Sequence, residues 1–176
     1  LKNQLNPHML FNSLNTLRSL VRENQDKAQD YIQELSRVLR YTLQDNESQS
    51  VTLREELEFA SAYIFLLKMR YENNLQFDIQ TDKALEEYRV PPMSIQMLIE
   101  NAVKHNEISN RKPLTIHITT NKKEEKLSVS NAIQPKWTAT PGTGIGLVNL
   151  AKRYRLLFKQ DIQITEDEEF TVCIPL

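Results

Sequence analysis

A histidine that could act as a nucleophile lies near the start of the chain, in the stretch NPHMLFNSLN. In a helix of about 3.6 residues per turn, His8 shares a polar stripe with Asn12, and the main apolar residues lie nearly opposite. These apolar residues are Leu10, Leu14, Leu17 and Val21. Because proline disrupts the preceding turn of a helix, Pro7 predicts a bend beside a solvent-facing imidazole. An exposed histidine without chemical function is the alternative.

Glycines that could bind phosphate occur later, in the stretch PGTGIGLVNL. Gly142, Gly144 and Gly146 would let successive backbone N–H groups turn toward a phosphate chain at the start of a helix. The pattern is not the fingerprint of a Rossmann fold, because no G-x-G-x-x-G follows a first strand. A tight loop that binds no ligand explains the same glycines.

A second candidate phosphate site lies on the helix predicted in VPPMSIQMLIENAVKHN. Asn101, Lys104 and His105 share one side of this helix with Met97, beside its apolar face. An amide oxygen next to a lysine suits a metal-bound polyphosphate, since Mg²⁺ takes few protein ligands and lysine neutralises phosphate charge. An ordinary amphipathic helix is the alternative interpretation.

The elements that would position these residues divide the chain in two. Helical periodicity, interrupted by the polar stretch RENQD, predicts an antiparallel helical hairpin within residues 1–48. A capping box of Thr52 and Glu55 then starts a domain over residues 52–176, in which helices alternate with strand-like runs. The predicted fold class is α+β, a helical hairpin followed by a mixed domain.

The composition of the chain excludes several classes of protein. Its 176 residues carry a formal net charge of −1, whereas nucleic-acid binders are usually strongly basic. A single cysteine allows no disulfide framework within one chain. No apolar run is long enough to span a bilayer and no signal peptide is visible. Because the chain starts at Leu1 in the middle of a pattern, we expect a soluble piece of a longer protein, without direct membrane contact.

The predicted hairpin has more apolar surface than two helices can bury. Leu5, Met9, Phe11 and Leu20 lie outside the main apolar stripe of the first helix. A second hairpin would cover these side chains by forming a four-helix bundle. The sequence therefore predicts a homodimer.

Four motifs, taken in order, resemble the LytS/YehU-type sensor histidine kinases of bacteria. They are LKNQLNPHMLFNSLN, VTLREELEFASAYIFLLKMRYENN, PPMSIQMLIENAVKH and GTGIGLVNLAKRY, and they cover nearly the whole chain. The resemblance implies a dimerisation and phosphoacceptor hairpin over residues 1–48 and a Bergerat-type ATP-binding domain over 52–176. This domain is the α/β sandwich shared with gyrase and MutL. The resemblance also implies ATP and Mg²⁺ as cofactors, a response regulator as partner, and the cytoplasmic portion of an inner-membrane sensor as location.

The resemblance assigns roles to individual residues. His8 matches the phosphoacceptor histidine of the family, and Asn101 matches its Mg²⁺-binding asparagine. The other matched positions surround the magnesium or the phosphates, and they are Glu100, Lys104, His105, Gly142, Gly144, Gly146 and Asn149.

Asn131 is the main departure from the family pattern. It stands in SVSNAIQPKW, where the fold normally has the aspartate of a D-x-G motif that binds the adenine amino group. Asparagine keeps an acceptor oxygen but lacks the charge, so we expect weaker ATP binding. A smaller departure is Met9, which replaces the phenylalanine that usually follows the histidine.

The expected reaction is transfer of the γ-phosphoryl group of ATP to a ring nitrogen of His8, and from there to an aspartate of the response regulator. Because Met9 cannot hold the second ring nitrogen, we expect Asn12 to orient the ring and Glu100 to accept the proton. Two alternatives stay open. One is a nucleotide-binding or dimerisation module without kinase activity, and the other is an ATPase of the same fold.

Overall fold

The computed structural model of the protein describes residues 7–44, 49–136 and 145–176. Its first two helices are α1 (Pro7–Glu23) and α2 (Gln25–Leu43), which contact each other as expected for the predicted hairpin. The polar stretch between them is not a loop. Asn24 alone connects the helices, because its side chain accepts a hydrogen bond from the Lys27 backbone N–H at 3.2 Å and so caps α2 directly. The turn before Pro7, where the bend was predicted, lies outside the described residues.

The face of α1 that the protein covers differs from the predicted apolar stripe. Ser13 and Leu20 are buried and Met9 packs against the core, whereas Leu14 and Val21 are 50% and 52% exposed. At about 3.6 residues per turn, the covered face lies about a quarter turn from the predicted one. The stripe prediction was wrong because α1 contacts both α2 and the third helix, and this double contact decides which side faces inward.

The third helix, α3 (Leu53–Tyr71), begins at the predicted capping box. The Thr52 hydroxyl accepts a hydrogen bond from the Glu55 backbone N–H at 3.2 Å, and the Glu55 carboxylate accepts one from the Thr52 N–H at 3.0 Å. Two orphan backbone donors at the helix start are thereby satisfied. The prediction for this helix start is confirmed.

Helix α3 is covered on nearly every side. Its buried residues are Leu53, Glu56, Phe59, Ala60, Ala62, Tyr63, Ile64, Leu66 and Leu67. A helix whose apolar residues surround its axis must pack against neighbours on several sides. Helix α2 contacts α3 extensively, and strand β2 (Leu75–Gln80) and helix α4 (Ser94–His105) also contact it. One continuous apolar core therefore runs from the hairpin through α3 to the sheet.

The main sheet has five strands in the order β2-β4-β5-β7-β6. Beyond β2, its strands are β4 (Leu114–Asn121), β5 (Lys126–Ala132), β6 (Gln163–Glu166) and β7 (Glu169–Pro175). Strands β2 and β4 run parallel, and the other neighbours are antiparallel. The strand-like runs predicted within residues 52–176 are confirmed by these strands.

Three features complete the fold. A pair of two-residue strands, β1 (Val51–Thr52) and β3 (Arg89–Val90), joins the start of α3 to the segment before α4, and it was not predicted because two residues show no alternation. Short 3₁₀ turns occupy Glu72–Asn74 and Lys83–Leu85. Helix α5 (Ile145–Phe158) contacts α4.

One face of the sheet is apolar and packs against helices. Alternate residues of the central strands are buried, and they include Leu114, Ile116, Ile118, Leu127, Val129, Val172 and Ile174. Helix α4 contacts β5, and α3 contacts β2, so these helices form the second layer. The architecture is an α/β sandwich with a helical hairpin packed on its helical layer, which confirms the α+β fold class. Among the described residues, we find no helix with the length and apolar character required to cross a bilayer.

The capping box predicts the effect of one substitution. Thr52→Ala removes the acceptor for the Glu55 N–H and should lower the free energy of unfolding by about 1 kcal/mol. Thr52→Ser keeps a hydroxyl and should stay close to the wild type. Urea unfolding of the three proteins measures both effects, and an unchanged midpoint in Thr52→Ala would contradict the structural role of the cap.

Candidate active site

A cleft of about 530 Å³ lies between the hairpin and α4, with α3 beneath it. Helix α1 contributes His8 and Asn12, and α4 contributes Glu100, Lys104 and His105. Five of the residues singled out in the sequence, from two distant segments, are thus brought together. The other lining residues are Met9, Ser13, Tyr31, Tyr63, Leu66, Leu67, Arg70, Tyr71, Val103 and Lys136.

The orientation of α4 explains why its polar residues face the cleft. Leu98, Ile99 and Ala102 are buried on its inner side. Glu100 and Lys104 are four residues apart and therefore project from the same outer side, toward α1. The helical pattern of α4 alone is enough to place them there.

The cleft is positively charged. Arg70, Lys104 and Lys136 line it together with one carboxylate, Glu100. Burial lowers the pKa of His105, and the neighbouring Lys104 and Lys136 lower it further. Burial, followed by repulsion from Arg70, also lowers the pKa of Lys136. Cations that repel one another in a half-buried cleft form a favourable site for an anion.

A hydrogen bond within α4 orients the Glu100 carboxylate. The Gln96 side-chain amide donates to Glu100 at 2.7 Å. Burial raises the pKa of the neighbouring Tyr63, and the negative charge of Glu100 raises it further. Glu100 is therefore an oriented carboxylate in the cleft that the exposed His8 also lines.

Two predicted nucleotide-binding residues lie outside this cleft. Asn101 is half-buried on the side of α4 where Met97 receives a contact from the Arg153 guanidinium of α5 at 3.8 Å. Asn131 is buried in β5, between Ile116 and Phe170 of the neighbouring strands, and its amide N–H donates to the Ala132 carbonyl at 2.8 Å. Lys104 and His105 line the cleft and Asn101 does not, although the sequence analysis placed all three on one side of α4.

The glycine-rich stretch is described only at its end. Gly146 and Asn149 are exposed in the first turns of α5, whereas Gly142 and Gly144 lie outside the described residues. Among the described residues, none would come within 4 Å of a Cβ added at Gly146.

The sequence did not point to Arg70 and Lys136 as site residues. Arg70 lies in the last turn of α3, and Lys136 follows an isolated bridge between Asn106 and Pro135. Both lie within stretches quoted above, but no local spacing links them to the site, because their shared position depends on how α3 and β5 pack around α4. The only available signal was the position of Lys136 a few residues before the glycine-rich stretch.

The lowered pKa of His105 predicts a pH dependence of stability. His105 stays neutral in the folded protein to below its ordinary value of 6.5, whereas the unfolded chain becomes protonated near that value. Stability should therefore fall as the pH falls through 6.5 toward the lower folded-state pKa. His105→Gln should show a smaller loss between about pH 7.5 and about pH 5.5 in urea unfolding. An equal loss in both proteins would contradict this assignment.

Comparison with known proteins finds one matching family model and several similar sequences. A family model described as histidine kinase matches residues 1–75. The sensor protein LytS of Staphylococcus epidermidis is 33% identical over 172 residues, which cover 90% of this chain and 29% of LytS. LytS of Enterococcus faecalis is 31% identical with the same coverage of each chain. The sensor histidine kinase/phosphatase LytS of Staphylococcus aureus is 40% identical over 112 residues, which cover 64% of this chain and 19% of that protein.

The chain spans less than a third of the length of these relatives. Among solved structures, the catalytic domain of the histidine kinase ThkA superimposes with a TM-score of 0.50 at 21% identity, covering 72% of this chain and 95% of that domain. This likeness concerns the fold, and it agrees with the α/β sandwich described above. By its sequence matches, the chain is a homologue of the LytS-type sensor histidine kinases over nearly its whole length.

Proposed function

We propose that this chain is the kinase region of a two-component sensor histidine kinase, which transfers the γ-phosphoryl group of ATP to His8 and then to an aspartate of a response regulator. The observation that carries the proposal is the shared cleft. His8 faces Glu100, Lys104 and His105 in a cleft whose charge favours phosphate. The homology to LytS-type kinases supports the same reaction.

His8 acts as the nucleophile. A neutral imidazole has a lone pair on one ring nitrogen, which forms the bond to phosphorus while the bond from phosphorus to the bridging oxygen breaks and ADP leaves with that electron pair. The proton on the other ring nitrogen passes to Glu100 or to solvent. Asn12, one helical turn from His8 and in the same cleft, holds the ring in line.

The cationic residues bind the transferred group. Arg70, Lys104 and Lys136 neutralise the phosphate oxygens, and the low pKa of His105 keeps this ring neutral beside them. The fit of a magnesium ion rests on Asn101, an uncharged amide on a half-buried side of α4 next to Lys104. When bound, Mg²⁺ would supply positive charge that neutralises the phosphate groups of ATP.

Further residues bind the nucleotide from the other side of α4. The Asn131 side-chain oxygen accepts a hydrogen bond from the adenine amino group, and Asn149 contacts the phosphates at the start of α5. The backbone of the glycine-rich stretch covers the phosphates, and Gly146 is the exposed end of this stretch in the first turn of α5. Since Asn101 and Asn131 do not line the cleft that contains His8, transfer also requires movement between the hairpin and the ATP-binding domain.

We infer the partners from the exposed apolar surface of the hairpin and from the proposed reaction. Phe11, Leu14, Val21, Ile32 and Leu43 are large apolar side chains of the hairpin that remain exposed, and a second hairpin would cover them in a homodimer. A response regulator receives the phosphate. We infer a location in the cytoplasmic portion of an inner-membrane sensor, where this part of the protein contacts neither the membrane nor nucleic acid.

Phosphate labelling tests the reaction. With Mg²⁺ and γ-labelled ATP, the chain should acquire base-stable, acid-labile label that His8→Gln abolishes. The matched control is His117→Gln, because His117 lies on the sheet beside Asp78 and away from the cleft, and it should label normally. Label that persists in His8→Gln would contradict the assignment.

The same experiment separates the alternatives. The replacement of an aspartate by Asn131 favours a nucleotide-binding or dimerisation module without kinase activity, which would bind ATP without acquiring label. The oriented Glu100 carboxylate would suit an ATPase, in which it activates water. Such an ATPase would release phosphate steadily, and His8→Gln would not change the rate.

The cleft also predicts which chain of a dimer phosphorylates which. Because His8 and Lys104 of one chain line the same cleft, transfer should occur within a chain. Dimers that combine a His8→Gln chain with an Asn101→Asp chain, distinguished by size, should therefore remain unlabelled. Label on the Asn101→Asp chain would show transfer between chains and contradict this arrangement, while dimers of wild-type and His8→Gln chains should label the wild-type chain.

A further inference from the structure

A buried carboxylate lies where the hairpin meets the ATP-binding domain. Glu56 of α3 is 0% exposed. One of its carboxylate oxygens accepts hydrogen bonds from the Tyr41 hydroxyl at 2.5 Å and from the Met93 backbone N–H at 2.8 Å. The other accepts from the Ile95 backbone N–H at 3.2 Å. Glu56 thus joins α2 of the hairpin to the start of α4.

Glu56 provides the N-terminal cap of α4. Met93, at the cap position, has a left-handed backbone with φ of 68°, and its own side chain makes no capping hydrogen bond. Backbone N–H groups at a helix start require acceptors, and a carboxylate there also interacts favourably with the helix dipole. The carboxylate of another helix satisfies two of these groups, so the position of α4 depends on the position of α3.

Tyr41 extends this link to the hairpin. It lies near the end of α2, its ring stacks on Phe59 with the ring centres 4.2 Å apart, and its hydroxyl donates to Glu56. Burial and the negative charge of Glu56 raise the pKa of Tyr41, which keeps this hydroxyl a donor. The base of the hairpin is therefore hydrogen-bonded, through one carboxylate, to the helix that lines the cleft.

Helix α5 also faces this carboxylate. Burial raises the pKa of Glu56, and its hydrogen bonds and the charge of Arg153 offset part of this rise. Burial and the charge of Glu56 raise the pKa of Tyr154. Glu56 is thus hydrogen-bonded to the start of α4 and interacts electrostatically with α5.

Stability alone does not account for this arrangement. Burying a carboxylate carries a large desolvation cost, and apolar side chains of similar volume often replace buried polar groups without loss of stability. What an apolar residue could not supply is a fixed geometry between α2, α3 and the first turn of α4. That geometry decides where Lys104 and His105 stand relative to His8.

We propose that Glu56 and Tyr41 are positioning residues of the phosphotransfer, which hold α4 against the hairpin so that the phosphate-binding residues face His8. This inference rests on the kinase function proposed above. Neither residue touches the reacting atoms, and both act through the placement of α4.

Tyr41→Phe is the sharpest test, because it keeps the ring that stacks on Phe59 and removes only the hydroxyl. The rate of His8 phosphorylation at saturating ATP should fall about tenfold. This is the effect expected when the loss of one hydrogen bond to a charged group makes the placement of α4 in the transition state less favourable. The ATP dissociation constant should change less than about twofold, since Glu56 still caps α4. A purely structural role would instead leave the rate per folded molecule unchanged.

Two further variants complete the design. Glu56→Gln has one acceptor oxygen instead of two, so it should weaken ATP binding and slow phosphorylation together. The first control is Tyr88→Phe, which removes a hydroxyl that donates to Glu125 at the surface. The second control is Glu58→Gln, a substitution at an exposed position of α3. Both controls should match the wild type in rate and in ATP affinity.

Hydrogen exchange of the Met93 and Ile95 amides gives a readout that does not depend on kinase activity. These amides should exchange faster in Tyr41→Phe than in Tyr88→Phe. If the wild type labels and Tyr41→Phe labels equally fast, the positioning role is overturned and the kinase function stands. If the wild type does not label, the kinase function is overturned. In that case the exchange rates test the hydrogen-bonded link from Tyr41 through Glu56 to α4. Unchanged exchange in Tyr41→Phe would overturn this link, and faster exchange would support it.

Discussion

The burial of α3 on nearly all sides is the constraint on which the rest of the structure depends. Apart from one exposed polar stripe that includes Glu58 and Lys68, its surface is apolar, so the hairpin covers one side while α4 and the sheet cover the others. This packing places the polar stripe of α1 opposite the outer side of α4. The cleft that contains His8 is therefore a consequence of core packing, although its chemistry comes from exposed and half-buried side chains.

The cationic side chains that line the cleft repel one another. Arg70, Lys104 and Lys136 stand around a single carboxylate, and the pKa values of Lys136 and His105 are lowered by burial and by neighbouring cations. Binding of an anion would relieve this repulsion. The same cations disfavour a positively charged ligand in the cleft and favour an anionic one, such as a phosphate.

Local patterns predicted much of the fold, whereas contacts between distant segments could not be predicted. The capping box of Thr52, the helix from Ser94 and the alternating strands all follow from residues within one turn or one strand. The inward face of α1 was mispredicted because two neighbouring helices compete for it. The cap that Glu56 provides to α4 was not predicted either, since 37 residues separate it from Met93 and no local spacing links them. The stripe of His8 and Asn12 could be predicted from helical spacing. The presence of Arg70 and Lys136 in the same cleft depends on tertiary packing and could not.

The central claim is that the hairpin face carrying His8 lies against α4 of its own chain. Asn12→Cys and Lys104→Cys, combined in a Cys173→Ser background and treated with a short bifunctional maleimide at high dilution, test this claim directly. The account predicts a cross-link within one chain, which peptide mass mapping identifies in a species of monomer mass. Cross-linked species found only between chains, or no cross-link while each cysteine is singly modified, would contradict it.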